Sequence, residues 1–324
     1  MKTPLEQKHL SDSDNSLKQV ARVDGSNLNP EIFAKEYRKD GIPIVVTGLL
    51  ETEPNWDLNY LCEQLGEQKF PVRFYGRERY QQDKRNWEDM GSGVESRSIA
   101  FSEYAQKLLS GEAKEKDMYL GKCSLADTPL ANKPAFKNLQ SKLGFSVPIT
   151  PLNLWLGFGG HTTCLHCDAF DGTLIQLYGT KKVILFSPNQ LYNLYPFSLL
   201  NNLLYGFKRR ASYSQVYPQK PDLKAFPKFK EALSHCYEVV LQPGEILYIP
   251  VGWWHEVSCT GDGIVCSVNR FWNISPVNRS LFSWNKWRIH LSSILAIPYF
   301  LTVGLIAFFA KDRTQSLKRL LQRL

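Results

Sequence analysis

Residues 237–269 read YEVVLQPGEILYIPVGWWHEVSCTGDGIVCSVN, and the fold turns on this stretch. Four short apolar runs, Tyr237–Leu241, Ile246–Ile249, Trp253–Cys259 and Ile264–Asn269, are separated by Gly244, Pro250 and the turn Gly261-Asp262-Gly263. Brief runs rich in Val, Ile, Tyr and Trp between turn residues read as strands, and their spacing predicts a meander of four. Just upstream, Thr173–Tyr178 and Lys182–Phe186 flank Gly179-Thr180, which predicts a hairpin. Short strands at such regular intervals, beginning near Leu152, mean an antiparallel barrel or jelly roll.

Outside this region the pattern changes. Glu31–Tyr37 carries apolar residues at helical spacing, Ile44–Gly48 is β-rich, and Trp56–Gly66 places Leu58, Leu61 and Leu65 on one side of a helix. Phe70–Ser98 is polar and aromatic with charges of both signs, which predicts a long surface loop or hairpin. Leu191–Ser234 has no clear period and is expected to be an insertion with helical pieces. Residues 1–29 are rich in Lys, Ser, Asp and Asn and are expected to be a flexible polar leader. They contain no apolar h-region, so no signal peptide is expected. The seven cysteines form no framework spacing, and this argues for a reducing, cytoplasm-facing setting.

At 43% hydrophobic and 13% aromatic, the 324 residues can build a large core, which excludes a wholly disordered chain. The net charge of +8 hints at nucleic acid until it is located. From Arg279 onward eight basic residues face Asp312 alone, so the body is almost neutral. Basicity confined to a tail beside an apolar run fits a membrane surface and disfavours nucleic acid as a partner.

The chemistry-bearing residues are His166, Asp168 and, much later, His255. Side chains at i and i+2 of a strand share a face, so His166 and Asp168 form a pair that a histidine from another strand could complete. Two imidazoles and a carboxylate on one face of a metal is the arrangement of non-haem Fe(II) oxygenases. The plainer reading of His166 and Asp168 is a hydrogen-bonded strand pair. Cys164, His166 and Cys167 resemble half a zinc site, yet no second pair stands at zinc-finger spacing. His161 reads as a loop residue, and Trp253 and Trp254 as barrel packing.

Several linked stretches now carry a resemblance: Thr163-Cys-Leu-His166-Cys-Asp168, Gly179-Thr-Lys181-Lys-Val-Ile-Leu-Phe186, Pro243–Pro250, Gly252-Trp-Trp-His255 and Ser267-Val-Asn269-Arg-Phe-Trp272. Together they resemble the cupin-like JmjC family, and within it they are similar to the asparaginyl hydroxylase that inhibits the hypoxia-inducible factor. The similarity runs from about Pro30 to Trp272, giving a catalytic domain over 30–278. The resemblance implies a double-stranded β-helix, mainly β with flanking helices, that uses Fe(II) with 2-oxoglutarate and O2 as cosubstrates. It implies His166, Asp168 and His255 as iron ligands and as the catalytic residues. It also implies Lys181 as partner of the distal carboxylate of 2-oxoglutarate, with Thr163 and Tyr119 assisting and Asn269 making a polar contact near the iron. Lys182 competes with Lys181, because strand parity cannot be counted through the turn after Asp168; family spacing favours Lys181. Where the hydroxylase has an asparagine a few residues after the aspartate, this chain has Gly172. The implied reaction is hydroxylation of a protein, peptide or small molecule with release of succinate and CO2. N-demethylation by the same site and a non-catalytic binding scaffold are the alternatives.

The last segment, 279–324, contains twenty consecutive uncharged residues, Leu291–Ala310, the length of a membrane-crossing helix. Trp284, Lys286, Trp287 and Arg288 precede it, and Lys311 and Arg313 follow, as suits headgroup depth. Leu317, Leu320, Leu321 and Leu324 then fall on one face of a basic amphipathic helix, with Lys318, Arg319 and Arg323 elsewhere. Attachment to a membrane by this tail is expected, with Pro298 permitting a re-entrant or in-plane helix as well as a spanning one; a homodimer through C-terminal helices is the competing expectation.

Overall fold

The computed structural model describes residues 18–87 and 94–321. In chain order its strands are β1 Lys18–Gln19, β2 Arg22–Asp24, β3 Ile44–Thr47, β4 Lys69–Phe74, β5 Ser96–Ala100, β6 Met118–Ser124 and β7 Asn153–Phe158. They continue as β8 Thr162–Cys167, β9 Asp171–Tyr178, β10 Lys181–Phe186, β11 Tyr237–Leu241, β12 Ile246–Ile249, β13 Trp254–Cys259 and β14 Ile264–Trp272. One sheet has the order β1-β11-β10-β13-β8, and the other β2-β3-β12-β9-β14-β7-β6-β4-β5.

Consecutive strands from β7 to β14 pass repeatedly from one sheet to the other, which is the double-stranded β-helix. Two expectations are thereby corrected. Gly179-Thr180 is not a hairpin turn, because β9 pairs with β12 and β14 while β10 pairs with β11 and β13. The run from β11 to β14 is not a meander either, since β12 and β14 lie in the sheet opposite β11 and β13. The physical reason is burial on both sides. All four residues of β12 and seven of the eight in β9 are buried, so these strands cannot face water as half-exposed meander strands do. Each short turn therefore carries the chain over the edge to the other layer. At Gly179 the chain turns with φ +63°, and a Cβ there would sit 2.6 Å from the Ile264 carbonyl oxygen. Only glycine fits that crossing.

The inner faces of the two sheets meet over Leu174, Val183, Leu185, Val239, Leu247 and Trp253. A larger apolar cluster lies on the outer side of the nine-stranded sheet, under the helices Leu58–Leu65, Phe101–Leu109 and Pro134–Lys142. The expected face Leu58, Leu61 and Leu65 is the buried face of its helix, which Asp57 caps by accepting from the Tyr60 N–H. Phe70–Ser98 is a β4–β5 hairpin with a long connection, of which 88–93 lie outside the described residues.

The expected leader over 1–29 needs correction from residue 18 on, 1–17 lying outside the described residues. Lys18–Gln19 pairs in parallel with β11, Arg22–Asp24 pairs in parallel with β3, and Val20 and Leu28 are buried. Charged residues on edge strands made this stretch look solvated.

The segment after residue 278 is joined to the barrel. Arg279 donates two hydrogen bonds to the buried Asp171 carboxylate, both at 2.9 Å, so the barrel closes on the segment assigned to the tail. One helix, Trp284–Phe309, then begins seven residues before the uncharged run. Its Asn285 donates to the Gly252 carbonyl at 2.8 Å, and Arg288 donates to those of Phe197 and Ala211 at 2.8 and 3.3 Å. A last helix, Arg313–Leu321, follows. Of its expected leucine face only Leu320 is described; the side chains of Leu317, Lys318, Arg319, Leu321, Arg323 and Leu324 lie outside the described part.

Candidate metal centre

Strands β8 and β13 are antiparallel neighbours, and His166 and His255 are direct cross-strand partners. Directly opposed residues on one face hold their Cβ atoms about 5 Å apart, so two imidazoles converge without any special loop. Asp168 follows His166 by two residues, just past the end of β8. Potential ligand atoms of all three lie within 4.8 Å of one another. The His255 Nε2 is 3.5 Å from Asp168 Oδ2, and the imidazole centroids are 4.3 Å apart.

Both rings are held the same way. His166 Nδ1 stands 2.8 Å from the Cys164 carbonyl and His255 Nδ1 stands 3.1 Å from that of Trp253, so each Nδ1–H has its acceptor two residues back. That tautomer leaves both Nε2 lone pairs free, the orientation a ligating histidine requires. Burial, reinforced by the neighbouring His166, pushes His255 down to about 4, so its ring is neutral near pH 7. The Tyr213 ring stacks on His166 with centroids 5.2 Å apart and the planes 18° from parallel. Two imidazoles and one carboxylate suit a divalent iron with positions left for other ligands.

Lys181 and Lys182 part on β10. Lys181 is 2% exposed on the inner face, continuing the alternation of Val183 and Leu185, whereas Lys182 lies 3.7 Å from Glu238 on the outer face. The Lys181 ammonium donates to Tyr119 Oη at 3.3 Å and to Ser267 Oγ. Among the described residues no carboxylate lies within ion-pair distance of it; burial pushes its pKa down, opposed in part by the thiols of Cys259 and Cys266. A buried cation without an anion is costly. The position therefore has the charge and the donors to receive a carboxylate from a small molecule.

Tyr119 on β6 is fully buried, with its ring stacked on His161 at 3.6 Å and 12°. His161 lies in the connection between β7 and β8, as a loop residue was expected to, but it is a core residue of the site's wall. Its Nδ1 is 2.9 Å from Asp117 Oδ1, and Tyr80 donates to the other oxygen at 2.9 Å. Burial outweighs the Asp117 interaction and holds His161 below the usual imidazole range. The hydrogen bonds from His161 and Tyr80 overcome burial and hold Asp117 below the usual carboxylate range. A neutral imidazole thus donates to an ionised carboxylate and fixes the ring on which Tyr119 rests.

Thr163 stands opposite Val257 across the β8–β13 pair, and Asn269 accepts a hydrogen bond from Trp155 Nε1 at 2.9 Å. The polar groups that touch Lys181 are Tyr119 and Ser267, and reasoning about single residues missed Ser267. Alternation from Asn269 would have found it, since residues 267 and 269 share a face of β14. Trp254 packs in the apolar cluster behind β8 and β10, and Trp253 in the one between the sheets, as packing residues do.

Residues 30–278 match the family described as Cupin-like domain. The chain is similar to JmjC domain-containing protein D of Dictyostelium discoideum, with 31% identity over 245 residues, covering 69% of this chain and 50% of that protein. It is similar to lysine-specific demethylase 8 of Danio rerio at 28% over 255 residues, covering 75% and 56%. It is also similar to human HSPB1-associated protein 1 at 34% over 133 residues, covering 40% and 22%. The matched region thus spans about half or less of these relatives' own length.

Proposed function

The chain belongs to the cupin-like JmjC family of Fe(II)/2-oxoglutarate-type oxygenases, and on that premise we propose that it is an Fe(II)- and 2-oxoglutarate-dependent hydroxylase. The single observation that carries the reading is Lys181, a buried ammonium held between two hydroxyls with no carboxylate partner among the described residues, on the strand paired with His255's own. His166, Asp168 and His255 would hold the metal through two free Nε2 atoms and a carboxylate oxygen. Lys181, Tyr119 and Ser267 would take the distal carboxylate of 2-oxoglutarate. When bound, iron and 2-oxoglutarate supply the activation of O2 that places one oxygen atom on a substrate carbon and releases succinate and CO2.

The chain's own residues perform three tasks. The carbonyls of Cys164 and Trp253 hold both imidazoles in the ligating tautomer. The apolar cluster of Val183, Leu185 and Leu247 lines the space between the sheets beside the site, with Leu185 the cross-strand partner of His255. The ordered Lys181–Tyr119–His161 wall fixes one end of the cosubstrate without moving.

A second outcome from the same site is N-demethylation, in which the hydroxylated carbon is an N-methyl group that then leaves as formaldehyde. The names of relatives such as lysine-specific demethylase 8 support keeping it. Anaerobic titration of the protein with Fe(II) and then 2-oxoglutarate should give a visible charge-transfer band that His166→Ala and His255→Ala abolish. Native lysate treated with the enzyme under 18O2 should then show proteins or small molecules carrying heavy oxygen, and formaldehyde release would mark demethylation instead. Absence of the band and of iron-dependent succinate would overturn the reading.

A further inference from the structure

The helix Trp284–Phe309 has two faces. Asn285, Arg288, Ser292 and Ala296, three and four residues apart, form a buried seam against the body. Tyr299 packs onto Gly206, where a Cβ would fall 2.5 Å from its ring, and the Phe300 ring lies 5.0 Å from that of Phe207. Beyond them, Gly304 is met by Leu320 of the returning helix. The opposite face, Leu291, Ile294, Ile297, Leu301 and Leu305, also runs at helical spacing and is open to solvent, with Leu301 69% exposed.

This open face continues onto two other elements. Helix Leu200–Tyr205, on which the long helix rests, presents Leu200 and Leu204, the latter 62% exposed. Helix Val277–Phe282 presents Leu281 and Phe282, the latter 85% exposed. Monomeric soluble proteins rarely leave so continuous an apolar surface uncovered.

Charge says what covers it. From Gly172 to Pro221 and from Gly263 to Lys311 the chain has no Asp or Glu. Lys208 and Arg209 lie in the short helix Gly206–Arg209 beside Leu200–Tyr205, Lys286 stands 4.6 Å over the Trp287 ring, and the Arg313 guanidinium stands 4.0 Å over the Phe308 ring. Trp284, Trp287 and Tyr205 are exposed at the same border. A cationic and aromatic rim around an apolar centre matches an anionic bilayer surface. A second copy meeting this face through a twofold axis would set the same carboxylate-free rim against itself.

The geometry also decides depth. From Trp284 to Phe300 the helix is held on the body, so only Leu301–Phe309 runs beyond it, and nine residues at 1.5 Å reach about 14 Å, roughly half a hydrocarbon core. We infer that Trp284–Phe309, Leu200–Tyr205 and Val277–Phe282 together form an in-plane docking face for an anionic phospholipid membrane rather than a spanning anchor. This selects the in-plane form among those open to the tail and does not depend on the iron site.

The test uses the full chain and vesicles of phosphatidylcholine with or without phosphatidylserine. Co-flotation with the anionic vesicles is expected, falling at least tenfold for Leu301→Glu with Leu305→Glu and several-fold for Lys208→Glu with Arg209→Glu. 2-Oxoglutarate binding should stay unchanged in both, which separates this surface from the proposed activity. Nitroxide labels at positions 294, 301 and 305 should all report a similar shallow depth. Depths that run progressively to the bilayer centre would show a spanning helix and overturn the in-plane form. No flotation, or a discrete soluble dimer that Leu301→Glu converts to monomer, would overturn the membrane as occupant.

Discussion

Lys181 and Lys182 are adjacent and chemically identical, yet one is buried with no anion beside it among the described residues and the other is half-buried beside Glu238. Lys181→Ala should weaken 2-oxoglutarate by about one to two decades, the worth of a charge-assisted hydrogen bond of roughly 1.5–3 kcal/mol. Lys182→Ala should change affinity by about threefold at most, since partly exposed pairs contribute little. Calorimetric titration of both variants decides it, and a larger loss at Lys182 would remove Lys181 from the pocket. His161 gives a prediction of a different kind. Its folded pKa lies below the ordinary 6.5, so below that pH the unfolded chain binds the extra proton and the folded chain resists it. Stability contributed at this ring is therefore complete above pH 6.5 and lost as pH falls below it, whereas the Asp117 contribution is lost only below the ordinary carboxylate value of 3.8. His161→Phe should lower stability at neutral pH and flatten its decline toward about pH 5, as read by urea denaturation. A slope as steep as that of the unaltered chain would mean that His161 does not titrate there. The histidine–aspartate pair was legible at this scale because residues two apart share a strand face. Ser267 and the His161–Asp117 pair were not, because neither has a motif of its own; they matter through what Lys181 and Tyr119 touch.

Strands were easier to locate than to connect. Alternating or fully apolar runs between glycines marked β9 to β14 almost residue by residue, but period two says which face a residue takes and nothing about which strand pairs with it. The turn at Gly179-Thr180 shows the ambiguity: two residues can close a hairpin or lift the chain into the facing sheet, and here they do the latter. Polar β1 and β2 were invisible for a related reason, since edge strands carry charges that look like a leader. The crossover makes a quantitative prediction. Gly179→Ala must both keep φ at +63° and place a Cβ 2.6 Å from a backbone oxygen, so it should cost about 3 kcal/mol or more. Gly244→Ala shares the left-handed backbone, at φ +88°, but meets nothing within 4 Å. It should cost only about 1–2 kcal/mol. Chemical denaturation of the two variants separates strain from collision; equal losses would mean that the crossover has room to relax.

At the scale of the whole molecule, the C-terminal segment both completes the barrel and presents an apolar face outward. Its apolar length and basic flanks were plain in the sequence, because twenty uncharged residues are conspicuous however they pack. Its docking was not, since the residues that anchor it are single polar ones with no local pattern. Asp171 is 0% exposed and takes both ends of the Arg279 fork while Tyr248 donates to the same carboxylate. Removing one member of a buried pair strands the other, at a cost of about 3–5 kcal/mol. Arg279→Met should therefore lower the unfolding free energy by about that amount, and combining it with Asp171→Asn should recover part of the loss. A chain ending at Asn278 should fare worse still, because it also gives up the carbonyl contacts of Asn285 and Arg288 and the packing of Ile289 behind β8 and β10. A chain ending at Ser292 retains all of these and sheds most of the open face. It should unfold within a few degrees of the full chain and keep its 2-oxoglutarate binding while losing vesicle flotation. Thermal unfolding of the two truncated chains side by side is the deciding measurement. Equal stability would mean that the barrel closes without Arg279, Asn285 and Arg288, and that the C-terminal segment is an appendage from residue 279.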